Sequence, residues 1–142
     1  MTARPEPAAE PAPETAGEIS AAIDDMYAAF LAGDRGRFDA HLDPDVTTWE
    51  SHLPGPLRTR AELDEYRDRR DAAGRRPLLA ELVARGKRID VWGDVGVARY
   101  ELHARAEDQR PEQVSVTRVT DVLRRTGDGW RIVHHHAELV RP

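Results

Sequence analysis

The C-terminal segment 129–140 constrains the fold of this chain most strongly, because it predicts a long β-strand. It is rich in β-branched and aromatic residues, and the turn-forming sequence TGDG at 126–129 leads into it. A tight turn there predicts antiparallel pairing with the preceding segment, 114–125. Three of the six histidines, His134, His135 and His136, also lie on this strand.

Two further strands are predicted before this hairpin. Residues 78–91 and 95–106 have strand-like composition, and turn sequences at 92–94 and 107–111 follow them. Gly86 predicts a β-bulge in the first of these strands, since glycine inside a strand is typical of bulges. The second half of the chain therefore predicts an antiparallel meander.

The start of the chain predicts a disordered tail followed by two helices. Residues 1–17 are rich in Ala, Pro and Glu and lack an apolar period, which is typical of disorder, so the folded domain is predicted at 18–142. Apolar residues then follow the helical period over 19–31. Thr15 and Glu18 have the spacing of a capping box at the start of this helix. Asp34 predicts the cap of a short second helix.

The next segment predicts a strand and a third helix. Residues 43–45 indicate a turn, 46–50 a short strand, and 51–57, which contain two prolines and a glycine, a loop. Helix 60–73 begins at a second capping-box pattern and has a thin apolar stripe, so we expect it on the surface, as a lid. Arginines near its end are expected to be solvated, with binding of an anionic ligand or partner as the alternative: Arg67, Arg69, Arg70, Arg75 and Arg76. Helices first and a meander afterwards predict an α+β domain with the helices on one sheet face.

Composition excludes several classes of protein. The net charge of −5 argues against a general nucleic-acid binder, and no apolar run is long enough to span a bilayer. There is no secretory signal, so a cytoplasmic protein is expected. There is no cysteine, which excludes disulfides and thiolate chemistry.

Strand periodicity predicts which residues share a face of the final hairpin. If Arg125 pairs with Trp130 across the turn, Thr120 pairs with His135 and Arg118 with Ala137. Those four residues, Arg118, Thr120, His135 and Ala137, would then lie on one face of the sheet. His134 and His136 would lie on the other face.

Five short motifs indicate a family when they are taken in order. They are AGD at 32–34, DPDV at 43–46, GPLRTRAE at 55–62, GDVGV at 93–97 and GWRIVHHH at 129–136. Together they resemble the SnoaL-like branch of the nuclear transport factor 2-like superfamily, over about residues 19–140. Ketosteroid isomerase, polyketide cyclases and the association domain of calcium/calmodulin-dependent kinase are relatives. The resemblance implies a cone in which a curved sheet wraps around the helices, a pocket at its mouth, and homodimers; it does not imply one activity.

The resemblance also implies which positions face the pocket. In the family, the cavity positions fall on the face of His135 and Ala137. Cyclase-type members have a catalytic aspartate where this chain has Ala137, and the kinase association domain has cavity arginines at the positions of Ala137 and Thr120. Their absence argues against an aspartate-based aldol cyclase and against carboxylate binding in that manner.

The candidate site combines these positions with polar residues near the predicted pocket. Glu50 and His135 are the candidate acid/base residues, since burial raises the pKa of a carboxyl and lowers that of an imidazole, moving both towards neutrality. The candidate substrate-binding residues are Trp49 as a wall, His52 at the rim, Tyr66, Tyr100 and Thr120 as orienting groups, and Arg118. The structural alternatives are a hydrogen-bonded sheet histidine for His135, a solvated charge for Glu50 and core packing for the aromatic residues.

Two functions remain open from the sequence. The first is binding of a small, mostly apolar organic molecule such as a secondary-metabolite intermediate, either alone or with isomerase, cyclase or dehydratase chemistry that needs no cofactor. The second is a non-catalytic homodimeric association module. The three consecutive histidines have no partner cluster that would complete a metal site, so a role at a dimer interface or in stacking is favoured for His134 and His136. No phosphate loop or dinucleotide motif is present.

Overall fold

The computed structural model describes residues 13–142, which contain three helices and six strands. In chain order they are α1 (Pro13–Leu31), α2 (Arg35–Asp39), β1 (Leu42–Glu50), β2 (Leu53–Arg58), α3 (Arg60–Ala72), β3 (Leu79–Trp92), β4 (Val95–Ala106), β5 (Ser115–Thr126) and β6 (Gly129–Arg141). The strands form a curved, open sheet in the order β2-β1-β6-β5-β4-β3. The β1–β6 pair is parallel and the other pairs are antiparallel. The predicted α+β fold is confirmed.

Helix α1 supplies much of the core under the sheet. Ile19, Ile23 and Met26 recur at helical spacing and are at most 2% exposed. They belong to the same buried cluster as sheet residues such as Leu123 and Ile132. Burial of one such side chain stabilises the fold by about 1.5–3 kcal/mol.

The start of α1 differs from the sequence prediction. The helix begins at Pro13, so Thr15 lies inside it and the predicted capping box of Thr15 with Glu18 is wrong. Proline is tolerated in a first helical turn because the amide hydrogen that it lacks would have no partner there. Of the tail predicted at 1–17, residues 1–12 lie outside the described residues and residues 13–17 belong to α1. None of the helices within residues 13–142 is both long and apolar enough to cross a membrane.

The predicted loop at 51–57 is wrong, because most of it forms strand β2. Within residues 13–142 this strand lies at the edge of the sheet and pairs with β1 alone. Prolines are compatible with an edge strand, where one side of the backbone makes no ladder hydrogen bonds. Strand β1 is also longer than predicted, since it includes the expected turn at 43–45, in the stretch where the β1–β6 register shifts.

Helix α3 begins at the predicted capping box. Thr59 Oγ1 accepts the amide hydrogen of Glu62 at 3.3 Å, and Glu62 Oε1 accepts the amide hydrogen of Thr59 at 3.2 Å. These bonds satisfy two donors that the first helical turn would otherwise leave unpaired.

The four strands of the meander lie within about a residue of their predicted positions. Gly86 has φ +66°, and the β3–β4 register shifts between Arg85 and Arg88, which confirms the bulge. Only glycine adopts such a φ at little cost.

The pairing of β5 with β6 starts as predicted and then slips by one residue. Arg125 pairs with Trp130, but the register shifts at Val122/Leu123, because Val133 is an extra residue on β6. His135 therefore pairs with Asp121 and not with Thr120, and Ala137 pairs with Val119 and not with Arg118. Since one residue of slip turns every side chain to the opposite face, the predicted inner face was wrong for β5.

Candidate functional site

A cavity of about 400 Å³ opens between the helices and the inner face of the sheet. Its walls are mostly apolar and include Met26, Phe30, Leu63, Leu82, Leu102 and Ile132. The volume is in the range of sites that hold small organic molecules.

The parallel pairing of β1 with β6 brings three polar side chains to one wall of this cavity. Thr48 pairs with His135, and Glu50 pairs with Ala137. Because strand side chains alternate, Thr48 and Glu50 share the inner face, and both line the cavity together with His135. The Nε2 atom of His135 lies 3.4 Å from Oε1 of Glu50.

Behind His135 lies a buried hydrogen-bonded chain. The Nδ1 atom of His135 is 2.6 Å from Oδ1 of Asp121, which is 0% exposed. Tyr100 donates its hydroxyl hydrogen to Oδ2 of Asp121 at 2.5 Å, and the hydroxyls of Tyr27 and Tyr100 are 2.6 Å apart. Tyr100, predicted to contact the ligand, is instead buried beneath the cavity wall and holds Asp121.

The charges of this cluster stabilise one another. Burial lowers the pKa of His135, but the charge of Asp121 and the hydrogen bonds to Asp121 and Glu50 outweigh it and raise that pKa to about 10. Burial raises the pKa of Glu50, but the hydrogen bond and charge of His135 outweigh it and lower that pKa. The expected movement of both pKa values towards neutrality is therefore wrong, because coupling between the groups exceeds desolvation.

At neutral pH the cavity wall thus presents an imidazolium beside a carboxylate. Protonated His135 carries hydrogen on both ring nitrogens: Nδ1 donates to Asp121 on the buried side, and Nε2 faces Glu50 at the cavity as an ion pair. One group can accept a proton and the other can donate hydrogen bonds to a developing negative charge, which is the minimum set for acid/base chemistry.

Thr48 is a cavity residue that the sequence reasoning missed. It is 5% exposed, and its Oγ1 has no hydrogen-bond partner among residues 13–142. A buried hydroxyl without a partner is costly, but this oxygen is closed to the cavity as well as to solvent, so Thr48 shapes the wall and offers a ligand no free donor. The signal was available, since Thr48 stands two residues before Glu50 on a predicted strand.

Two other predicted residues line the cavity. The side chain of His52 is 63% exposed, and its Nε2 lies 4.0 Å from Oε2 of Glu50, which is a rim position. Tyr66 on α3 is half-buried and also lines the cavity.

Trp49, Arg118 and Thr120, which were predicted to contact a ligand, do not line the cavity. Trp49 alternates with Thr48 and Glu50, points to the outer face and is 48% exposed. Its ring makes edge contacts with His134 and His136, at centroid distances of 6.1 and 6.3 Å. The bulge in β6 places Arg118 and Thr120 opposite Glu138 and His136 on the outer face.

Helix α3 turns a mixed apolar and basic stripe towards the cavity. Leu63, Tyr66, Arg67 and Arg70 all line it, at the spacing of one helix face. Arg67 is 7% exposed and donates to Asp39 at 2.6 Å and to Asp64 at 2.5 Å. The predicted solvated arginine cluster is therefore wrong for Arg67 and Arg70, whose side chains turn inward with this stripe, and for Arg76, which follows α3 and also lines the cavity.

No group of three potential metal ligands lies in a suitable arrangement within the part of the chain that the structure describes. The residues there show no set that would hold a metal ion in the manner of a zinc site.

The sequence comparison gives one match to a family model. A model described as a SnoaL-like domain matches residues 19–140. Among curated protein sequences, none matches this chain significantly.

Solved structures share the fold at low sequence identity. A nuclear transport factor 2-like protein of unknown function from Pseudomonas putida KT2440 has a TM-score of 0.76 and 16% identity, over 89% of this chain and 87% of that chain. The calcium/calmodulin-dependent kinase II hub homology domain from Chlamydomonas reinhardtii has a TM-score of 0.74 and 21% identity, over 89% and 98% of the two chains. A candidate ketosteroid isomerase from Shewanella frigidimarina has a TM-score of 0.64 and 25% identity, over 87% and 94%.

Proposed function

The chain belongs to the SnoaL-like domain family, and from that premise we propose that it binds a small, mostly apolar organic molecule and acts on it by cofactor-free acid/base chemistry. The observation that carries the proposal is the Glu50–His135 pair at the cavity wall, backed by the fully buried Asp121. Charged groups in a mostly apolar cavity are costly to bury, and in enzymes such groups are typical of reactive sites.

The geometry supports proton abstraction next to a carbonyl group. The Glu50 carboxylate takes the proton, and the electrons of the broken C–H bond form an enolate. Its oxygen accepts a hydrogen bond from the Nε2–H of His135. In a β,γ-unsaturated ketone the enolate is conjugated with the C=C bond, so return of the proton to the γ-carbon shifts that bond and completes an isomerisation. In a β-hydroxy ketone the enolate electrons form a C=C bond as the C–O bond breaks, and the proton joins the departing hydroxyl group to give water.

Hydrogen exchange tests this chemistry without knowledge of the natural substrate. A panel of ketones, beginning with α-tetralone, is incubated with the protein in D₂O at neutral pH, and loss of the α-proton signals is followed by ¹H NMR. The wild type should accelerate exchange for at least one ketone, and Glu50→Gln should reduce the catalysed rate by about 100-fold or more, the usual range for a general base.

The chain contains a matched control for this variant. Glu101 lies on β4 with His103 Nε2 3.2 Å from its Oε1, but neither residue lines the cavity. Glu101→Gln should therefore exchange the ketone at the wild-type rate. Equal rates for the wild type and Glu50→Gln with every ketone would contradict the proposed chemistry.

Exposed aromatic residues favour self-association as a second role. Trp49 and Trp92 are each 48% exposed, and Trp49 lies on the outer sheet face beside His134 and His136. Large exposed apolar groups are typical of interfaces, so we expect a homodimer that uses this face, with or without a ligand in the cavity. Sedimentation velocity should show a dimer that Trp49→Asp weakens; a monomeric wild type would contradict this second role.

A further inference from the structure

The cavity contains basic groups that the proposed chemistry does not use. Arg70 and Arg76 both line it, and the side chain of Arg70 is only 16% exposed. Arg70 donates from Nε to Asp71 at 3.0 Å, and its two terminal nitrogens make no hydrogen bond within residues 13–142. A guanidinium group has five N–H donors, so most of the capacity of this group is unused.

Arg76 is held in place without a carboxylate partner among the described residues. Its Nη2 donates to the carbonyl oxygen of Phe30 at 2.5 Å, and the guanidinium lies over the Phe30 ring at 4.9 Å from the centroid. Both contacts fix the group beside an apolar cavity wall, and neither neutralises its charge.

A third donor in the same wall also lacks a partner. Arg67 is 7% exposed, and its terminal nitrogens bond to Asp39 and Asp64, but its Nε makes no hydrogen bond within the described residues. That Nε is too deeply buried for a ligand atom to reach, so the arginine donors that a ligand can reach in this wall are those of Arg70 and Arg76.

The acidic residues near these arginines are already engaged. Asp34 lines the cavity but caps α2 by accepting the amide hydrogen of Arg37, and Asp71 bonds to Arg70. None of the cavity arginines lies within 4.0 Å of Glu50, whose ionic partners within residues 13–142 are His52 and His135. The cavity wall therefore has a basic group of residues separate from the Glu50–His135 pair.

We propose that the ligand of this cavity carries a carboxylate that Arg70 and Arg76 bind, on an apolar body that reaches the Glu50–His135 pair. This inference rests on the proposed function and names its substrate class, an apolar organic acid. A ligand carboxylate beside Glu50 would be repelled, so the two polar groups of the cavity also fix the direction in which the molecule enters. This site differs from the cavity arginines of the kinase association domain. Those arginines lie at the positions of Thr120 and Ala137, and neither residue is basic in this chain.

Two probes of equal shape and different charge test the inference. The dissociation constants of 2-naphthoate and 2-naphthamide are measured at pH 7 and fixed ionic strength by NMR titration of the folded protein. The wild type should bind the naphthoate at least about tenfold more tightly than the naphthamide. Charge-assisted hydrogen bonds are stronger than neutral ones by enough to change a dissociation constant by about this factor. Arg76→Gln and, independently, Arg70→Gln should remove that preference by weakening naphthoate binding alone.

Arg75 provides the matched control, because it is an exposed arginine next to Arg76 that does not line the cavity. Arg75→Gln should keep the wild-type preference for the naphthoate. Thermal unfolding of each variant identifies any loss of naphthoate affinity that is caused by a destabilised fold. The comparison of the two probes on the wild type does not depend on any variant.

The outcomes separate this inference from the proposed function. The carboxylate assignment would be overturned if the wild type bound the two probes with equal affinity. It would also be overturned if Arg75→Gln and Arg76→Gln lost the same amount of naphthoate affinity. Either result would leave the acid/base chemistry intact. If neither probe shifted the NMR signals of any cavity residue, the result would count against both proposals.

Discussion

Replacing Asp121 with asparagine should convert His135 from a permanently charged residue into one that titrates near neutrality. The pKa of His135 rises from its ordinary 6.5 to about 10, which corresponds to about 5 kcal/mol of preference for the imidazolium. Asp121 is the leading cause of that rise, ahead of Glu50. Asparagine has the same shape and still accepts the Tyr100 hydroxyl hydrogen, so the variant removes charge more than packing.

The assay is an NMR titration of the histidine side chains. In the wild type, the His135 ring signals should not change between pH 5 and 8. In Asp121→Asn they should titrate in that window, because the largest source of imidazolium stabilisation is gone. Asp90→Asn is the matched control: Asp90 is paired with Arg99 on the sheet and contacts no histidine, so His135 should behave as in the wild type.

The same charge pair predicts how stability depends on pH. Since the folded pKa of His135 is raised, its contribution is fully present below pH 6.5 and is lost as the pH rises towards about 10. Over that window the free energy of unfolding should fall by up to about 1.4 kcal/mol per pH unit in the wild type, and much less steeply in Asp121→Asn. A wild-type His135 that titrates near 6.5 would refute the reasoning.

Three further substitutions test the fold, each by chemical denaturation. Thr59→Ala should lower the free energy of unfolding by about 1 kcal/mol, because it removes the capping box of α3. Ile23→Ala should cost about 2–5 kcal/mol, since Ile23 is 1% exposed and the substitution leaves a cavity under the sheet; a cost below 1 kcal/mol would contradict the described packing. Asp39→Ala should cost about 3–5 kcal/mol by leaving the buried Arg67 without its main partner, whereas Asp68→Ala, at an exposed ion pair, should cost less than about 1 kcal/mol.

Most of the fold could be predicted because its signals are local. The turn at 126–129, the capping box at Thr59 and the glycine bulge at Gly86 each depend on a few adjacent residues, and each lies where the sequence indicates. The edge strand β2 was missed because its prolines and glycine are typical of loops, and only the sheet order shows that the strand lies at an edge.

The site was predicted less completely because it depends on register between distant strands. Glu50 and His135 were identified and do line one cavity, but the bulge at Val133 exchanged Thr120 for Asp121 as the partner of His135. Nothing in the local sequence marks Val133 as an extra residue. The pKa direction of His135 was wrong for the same reason, since the Asp121 carboxylate was not known to be present and could not be weighed against burial. The direction for Glu50 was wrong because His135 is charged and lies close enough to outweigh burial.

Chemical-shift mapping of the backbone amides during titration with α-tetralone tests the central claim most directly. If the cavity beside the Glu50–His135 pair is the ligand site, the largest shifts should fall on Thr48, Glu50, His135 and Ala137, which share the inner face. Shifts confined to Trp49, His134 and His136 on the outer face, or no saturable shifts, would contradict the account.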